Sequence, residues 1–310
     1  MKAPFARPLA ALKKLLPGEI KLDAATLKAY AGDKWFASHL PDAVALPRSS
    51  KSVATILKFA NQHRIPVTAR GAGHGYVGGC VPLHGGIVLS LERMNRIKEI
   101  NAGDFVAVVE PNVITAELQA AVEKQNRFYP PDPASRAKNS IGGNIITNAG
   151  GPRCLKYGVT RDFVVALRGF LPTGEYVEWG TATKKFSAGY NMRDLWIGSE
   201  GMLGVVTGAV LKLIPQPAAR WTLLTSFRDE TRALQAALAL FRSRVQPAIC
   251  EFLDRESVLC AERAMKTTIF PGQAGRPVIL LELAGGVSEV DDLKLEVLAW
   301  AQANATGFKE

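Results

Sequence analysis

The run Arg70-Gly71-Ala72-Gly73-His74-Gly75-Tyr76-Val77-Gly78-Gly79 holds five glycines in ten residues. Glycine adds no side chain to a core and costs conformational entropy on folding. A cluster this dense marks backbone that takes φ > 0 or comes very close to another group. Main-chain N–H groups left pointing into a hollow are a general means of holding phosphate oxygens. The chemistry on offer is therefore the binding of a phosphorylated ligand, with a flexible surface turn as the plain alternative.

The elements that would position this run are short. An apolar stretch at residues 65–69 leads into it and reads as a short buried strand. Gly73, Gly75 and Gly78 fit G-x-G-x-x-G as a string, but a Rossmann turn must open a helix. Here Pro82 and the Gly85-Gly86 pair would break a helix, and residues 87–91 read as another strand. A Walker loop fails as well, because no Gly-Lys-Ser/Thr follows. What remains is a strand, a phosphate-cradling loop and a strand.

A second glycine-rich segment spans residues 139–151, preceded by Tyr129-Pro130-Pro131-Asp132-Pro133. It mixes glycines with Ser140, Asn144, Thr147 and Asn148, which offers main-chain donors and short neutral polar groups without charge. Phosphate alone would not demand that mixture, whereas a heteroaromatic ring edged with carbonyls and nitrogens would. A polar loop at a helix start fits it equally well. In a third segment Gly198, Gly201 and Gly204 recur at intervals of three, so the backbone there is expected to pass close to another group.

The chain of 310 residues is long enough for two domains, and no apolar run reaches the roughly 20 residues of a membrane-spanning helix. The first residues lack the apolar core of a secretion signal, so the expected location is the cytoplasm, with at most peripheral contact with the inner face of a membrane. A net charge of +10 suits an anionic ligand, but the basic residues are scattered, and a nucleic-acid surface is not expected. No two of the four cysteines, at 80, 154, 250 and 260, are spaced C-x-x-C, so neither zinc nor an iron–sulfur cluster is expected within this chain. They read as buried or free thiols.

Around these segments the chain alternates. Helical patterns fall near residues 9–16 and 24–30, and Val53, Ile56, Leu57 and Ala60 give one apolar helix face, with Ser50 as its cap. Strands are expected at 105–110, 163–171, 175–179 and 204–214, and a helix at 114–122. Pro215-Gln216-Pro217 is the expected domain boundary. Beyond it, strands at 221–227, 249–253 and 278–283 alternate with helices at 230–244, 256–266 and 290–304, so that the chain stops on a helix.

Six pieces in this order resemble the FAD-linked oxidase family, the vanillyl-alcohol-oxidase or p-cresol-methylhydroxylase type. The strongest likeness is to glycolate oxidase FAD subunits and flavin-dependent D-lactate dehydrogenases. The pieces are Pro47-Arg48-Ser49, residues 66–79, residues 141–151, Lys156-Tyr157-Gly158-Val159-Thr160-Arg161-Asp162, Leu171-Pro172-Thr173-Gly174, and residues 198–204. The resemblance implies an α+β protein. A helical lead-in at 1–40 would precede a two-subdomain FAD-binding domain at 41–217, followed by an incomplete, ferredoxin-like substrate-binding domain at 218–310.

By that resemblance Arg70, Gly71, Ala72, Gly73, His74 and Gly75 hold the pyrophosphate, and Tyr76, Gly79 and Pro133 are further cofactor-binding residues. Ser140, Gly143, Asn144 and Thr147 line the ribityl chain and flavin ring, and Val206 meets the adenine side through its backbone. Where the glycolate-oxidase branch carries threonine, this chain has His74. In other branches a histidine at this place bonds the flavin 8α-methyl, so a histidyl-FAD link is one outcome and a simple hydrogen bond to phosphate the other. A second link through cysteine is excluded, because its place holds Ser140.

The implied activity is oxidation of a 2-hydroxy acid such as glycolate or D-lactate, with electrons passed to an acceptor or partner subunit, an iron–sulfur one among the options. Arg161 and Arg193 are the basic residues near flavin-type segments, though structural roles suit both, and no catalytic residue is assigned. The family's histidine-bearing motif has no counterpart, since no histidine follows His84. That leaves a fragment, a subunit completed by another chain, or lost activity. The rivals are a non-catalytic flavin-binding subunit, a sugar or polyol oxidase with histidyl-FAD, and a nucleotide-binding protein without flavin.

Overall fold

The computed structural model describes residues 5–183, 185 and 187–310. Residues 1–4, on which the expectation of no secretion signal partly rests, lie outside them. The chain forms two compact units. One takes in the chain up to Ala149 together with Val159–Pro215, and the other joins Gly150–Gly158 to Gln216–Glu310.

The first unit is built on two sheets. One has strands Ile20–Lys21, Ala43–Ala45, Ile87–Ser90 and Val67–Arg70 in that spatial order. The first pair is antiparallel and the other two pairs are parallel. Helix Ser50–Gln62 buries Val53, Ile56, Leu57 and Ala60 against this sheet, in one core with Ile87 and Leu89. Its cap is Ser49 rather than Ser50. Ser49 is extended, at φ −153° and ψ 158°, and its side chain accepts from the Ser52 N–H, whereas Ser50 is already the first helical residue. The leading helix Ala6–Leu15 packs Leu9 and Leu12 into the same core. Val67–Arg70 is only half-buried, not buried as its sequence suggests, because it forms the edge of its sheet.

The other sheet is antiparallel, in the order Ile97–Asn101, Val106–Val109, Val205–Lys212, Val164–Phe170 and Tyr176–Gly180. Ile97–Asn101 has no counterpart in the sequence reading. The hairpin through Pro172-Thr173-Gly174 forms as its turn residues require, with Gly174 at φ 82°. Residues 139–151 contain a helix, Ile141–Thr147, capped by Ser140.

The second unit is a four-stranded sheet with helices Glu230–Phe241 and Val287–Asn304 packed on it. Counted in chain order, its strands are Ala219–Ser226, Ile249–Leu253, Val278–Gly285 and Gly307–Lys309. In space they run fourth, first, third, second, all neighbours antiparallel, which is the order of a ferredoxin-like sheet. The chain therefore does not stop on a helix: Gly307–Lys309 pairs with Leu224, Thr225 and Ser226.

Candidate cofactor site

One cavity of about 250 Å³ lies in the first unit. Gly71, Ala72, Gly73, His74, Gly75, Tyr76 and Gly79 line it from the glycine run, and Pro133, Ser140, Gly143, Asn144 and Thr147 from the later segment. Strand Val67–Arg70 delivers the run to the cavity, and helix Ile141–Thr147 delivers the second set. Two residues expected at the site, Arg70 and Val206, stand on a smaller adjoining hollow of about 30 Å³ instead. The two hollows share Ala69, Gly71, Gly143 and Ile146. A third, of about 370 Å³, shares Ala69, Gly201, Gly204 and Val205 with the small one. Residues of segments 70–75, 140–147 and 200–206 therefore line three adjoining hollows.

The two glycine segments are fastened together. Ser140 Oγ accepts from the N–H of Gly143 at 3.3 Å, its own helix cap, and from the N–H of Ala72 at 3.3 Å. A Cβ on Gly71 would collide with the same Oγ, so this approach requires glycine. Gly73 stands at φ 71°, in the left-handed region. Beneath it the Arg70 guanidinium donates to Gly32 O at 2.6 Å and to Cys80 Sγ at 3.3 Å, and lies over the Tyr30 ring at 5.6 Å. Arg70 thus braces the loop from below.

The donor set suits an anion. Among the described residues, the N–H groups of Gly73, His74 and Gly75 make no hydrogen bond within the protein. Burial, then the positive charges of Lys34, Lys138 and Arg70, hold the His74 imidazole below its ordinary pKa. These unengaged donors in a cationic field, on a loop held open by positive-φ glycine, fit the phosphates of a dinucleotide.

The polar side chains of the second segment are engaged with the fold. Asn144 is buried and donates to Thr115 Oγ1 at 2.8 Å, while Thr147 Oγ1 donates to Gly143 O at 2.9 Å. Val206 is buried in strand Val205–Lys212 and lines the small hollow. Arg161 donates to Asp194 O at 2.6 Å and Ile197 O at 2.8 Å, and Arg193 pairs with Asp194 at 2.9 Å. Gly198, Gly201 and Gly204 all take positive φ, and a Cβ on Gly204 would run into Phe170 O and the Trp196 ring.

Sequence reasoning missed Glu200. It lines the main cavity at φ 54°, rare for a residue with a side chain, with its N–H donating to Ile146 O at 2.8 Å. The glycines on either side were the available signal. Ser135 and Asn139 also line the cavity, and Asn139 Oδ1 accepts from Thr115 Oγ1 at 2.6 Å.

Residues 41–180 match the family described as "FAD binding domain", and residues 216–309 match "FAD linked oxidases, C-terminal domain". The chain is 41% identical over 252 residues to the glycolate oxidase subunit GlcD of Bacillus subtilis (strain 168), across 81% of this chain and 53% of that protein. It is 38% identical over 231 residues to a D-lactate dehydrogenase of Anaerostipes hadrus, across 74% of this chain and 48% of the other. The chain thus spans about half the length of these curated relatives. A solved p-cresol methylhydroxylase with substrate bound shares the fold, with a TM-score of 0.80 at 17% identity, over 100% of this chain and 66% of that one. With both domain models matched in order, over residues 41–180 and 216–309, this chain belongs to the FAD-linked oxidases.

Proposed function

We propose that this chain binds FAD along these adjoining hollows and serves the oxidation of a 2-hydroxy acid of the glycolate or D-lactate kind. One observation carries the reading: segments remote in sequence line adjoining hollows whose free N–H groups and cationic surroundings suit a dinucleotide. The names of the relatives support the substrate class.

In this reading the N–H groups of Gly73, His74 and Gly75 hold the pyrophosphate, and Ala72, bonded to Ser140 Oγ, and Arg70 fix the loop that presents them. Ser140, Gly143, Asn144 and Thr147 border the ribityl chain and ring, and the Val206 main chain meets the adenine end. The chemistry a bound flavin supplies is acceptance of a hydride from the α-carbon of the hydroxy acid, followed by release of electrons to an acceptor or partner subunit. A cytoplasmic location accords with a chain in which, among the described residues, no helix is long and apolar enough to cross a membrane.

Two alternatives rest on specific observations. His74 faces the cavity with its imidazole kept neutral near pH 7, which favours a histidyl-FAD link and with it a sugar or polyol oxidase. Arg161 and Arg193 are both engaged, so neither stands ready for a substrate carboxylate, which favours a non-catalytic or split flavin-binding subunit that needs another chain.

Steady-state assays with glycolate, D-lactate and xylitol and an artificial electron acceptor test the reading. Turnover of a hydroxy acid supports it. Turnover of xylitol alone supports the polyol oxidase, and flavin without turnover of any of the three supports the passive subunit.

A further inference from the structure

Among the described residues, Glu200 brings the only carboxylate to any of the three adjoining hollows. It lines the main cavity and the third hollow alike, a place it shares with Ala69 and Gly79. Its Oε2 lies 3.7 Å from where a Cβ on Gly79 would stand, so the carboxylate rests against backbone that carries no side chain. It makes no hydrogen bond or ion pair with another described residue.

The fold holds Glu200 there against its own preference. A residue with a side chain is disfavoured at φ 54°. The Glu200 N–H donates to Ile146 O at 2.8 Å and the Gly198 N–H to Ile145 O at 3.1 Å, and both carbonyls belong to helix Ile141–Thr147, which walls the main cavity. A strained residue kept at a cavity wall, with its charged end unengaged, points to work for that end.

A carboxylate repels phosphate and accepts hydrogen bonds from hydroxyl groups, and a bond of the O–H···O⁻ kind is a strong one. Acidic residues hold the paired hydroxyls of ribose in dinucleotide sites of other folds for this reason. In an FAD whose pyrophosphate lies on Gly73, His74 and Gly75 and whose adenine lies toward Val206, the part between is the adenosine ribose. Glu200 stands between those two ends: it shares the main cavity with Gly73, His74 and Gly75, and the third hollow with Val205. We propose that the Glu200 carboxylate accepts from the two hydroxyls of the adenosine ribose and so fixes the adenosine half of the cofactor. This rests on reading the hollows as the FAD site.

The test is competition by ADP and by 2′,3′-dideoxy-ADP against FAD, followed by flavin fluorescence on the full chain freed of flavin. Wild type should bind ADP about tenfold more tightly than the dideoxy compound. Glu200→Ala should bring ADP down to the dideoxy level and leave dideoxy-ADP where it was, which also shows that the site has kept its shape. Glu200→Gln keeps an acceptor without the charge and should retain part of the preference. FMN, which lacks the adenosine, should bind wild type and Glu200→Ala equally. An ADP preference that survives Glu200→Ala overturns the assignment, as does a wild type that binds ADP and dideoxy-ADP alike. Equal losses of FMN and FAD in Glu200→Ala would put the carboxylate on the ribityl chain and overturn it too. A wild-type chain that binds neither FAD nor ADP refutes the reading of the hollows themselves.

Discussion

Ser140 Oγ accepts from the N–H of Ala72, 68 residues earlier in the chain, at 3.3 Å. The same oxygen caps helix Ile141–Thr147 through the Gly143 N–H. A single hydroxyl thus sets the separation of the two glycine segments that face one another across the cavity.

Ser140→Ala should remove both bonds. Loss of the cap alone is expected to cost about 1 kcal/mol. Thermal unfolding should show that loss, and flavin retention on dialysis should fall further than the stability change explains, because the two walls lose their common pin.

Gly73 and Gly75, on either side of His74, are donors with opposite tolerances. Gly73→Ala places a side chain at φ 71° and drives it into the Arg70 guanidinium. The backbone strain alone is worth about 1–2 kcal/mol. A Cβ on Gly75 meets nothing within 4 Å. Flavin titration should therefore show much weaker binding for Gly73→Ala and near wild-type binding for Gly75→Ala.

Arg161 ties Asp194 O and Ile197 O to the turn after Asn148, whose Oδ1 accepts from the Arg161 N–H at 3.0 Å. Arg161→Ala leaves two carbonyls without their charged donor, at about 1–3 kcal/mol. Denaturant melts should show that loss with or without flavin, which marks Arg161 as structural. A stable variant that loses only turnover would assign it to the substrate instead.

His74 supplies a pH dependence. Its folded-state pKa lies below the usual histidine value through burial and the cations Lys34, Lys138 and Arg70. The unfolded chain then binds more protons between the folded and unfolded pKa values, so stability is full above the ordinary histidine range and falls as pH drops through that window. His74→Gln should flatten this limb of the melting-temperature profile. Acid precipitation of the two proteins also reads the covalent alternative: colour in the wild-type pellet that His74→Gln abolishes marks His74 as the attachment point.

Much of this was legible in the residues. Glycine density identified both walls of the cavity, because few other features require so much backbone without side chains. The pattern Val53, Ile56, Leu57 and Ala60 fixed the helix behind the first sheet. Strand Ile97–Asn101 escaped notice because it lies at a sheet edge and carries Lys98 and Glu99 mid-run. The inward turn of Arg70 depends on Gly32 O and Tyr30, about forty residues away, and no local pattern carries that information. Glu200 in the left-handed region is likewise a tertiary outcome, held by the Ile146 carbonyl. Gly307–Lys309 is short and weakly patterned, and it becomes a strand because Ala219–Ser226 offers it an edge.

The most direct test of the shared cofactor site is the visible absorbance spectrum of the purified chain after titration with FAD and removal of excess. One flavin per chain, lost in Gly73→Ala and weakened in Ser140→Ala, is the predicted result. A chain that stays colourless, or that binds flavin equally well in both variants, would contradict the account.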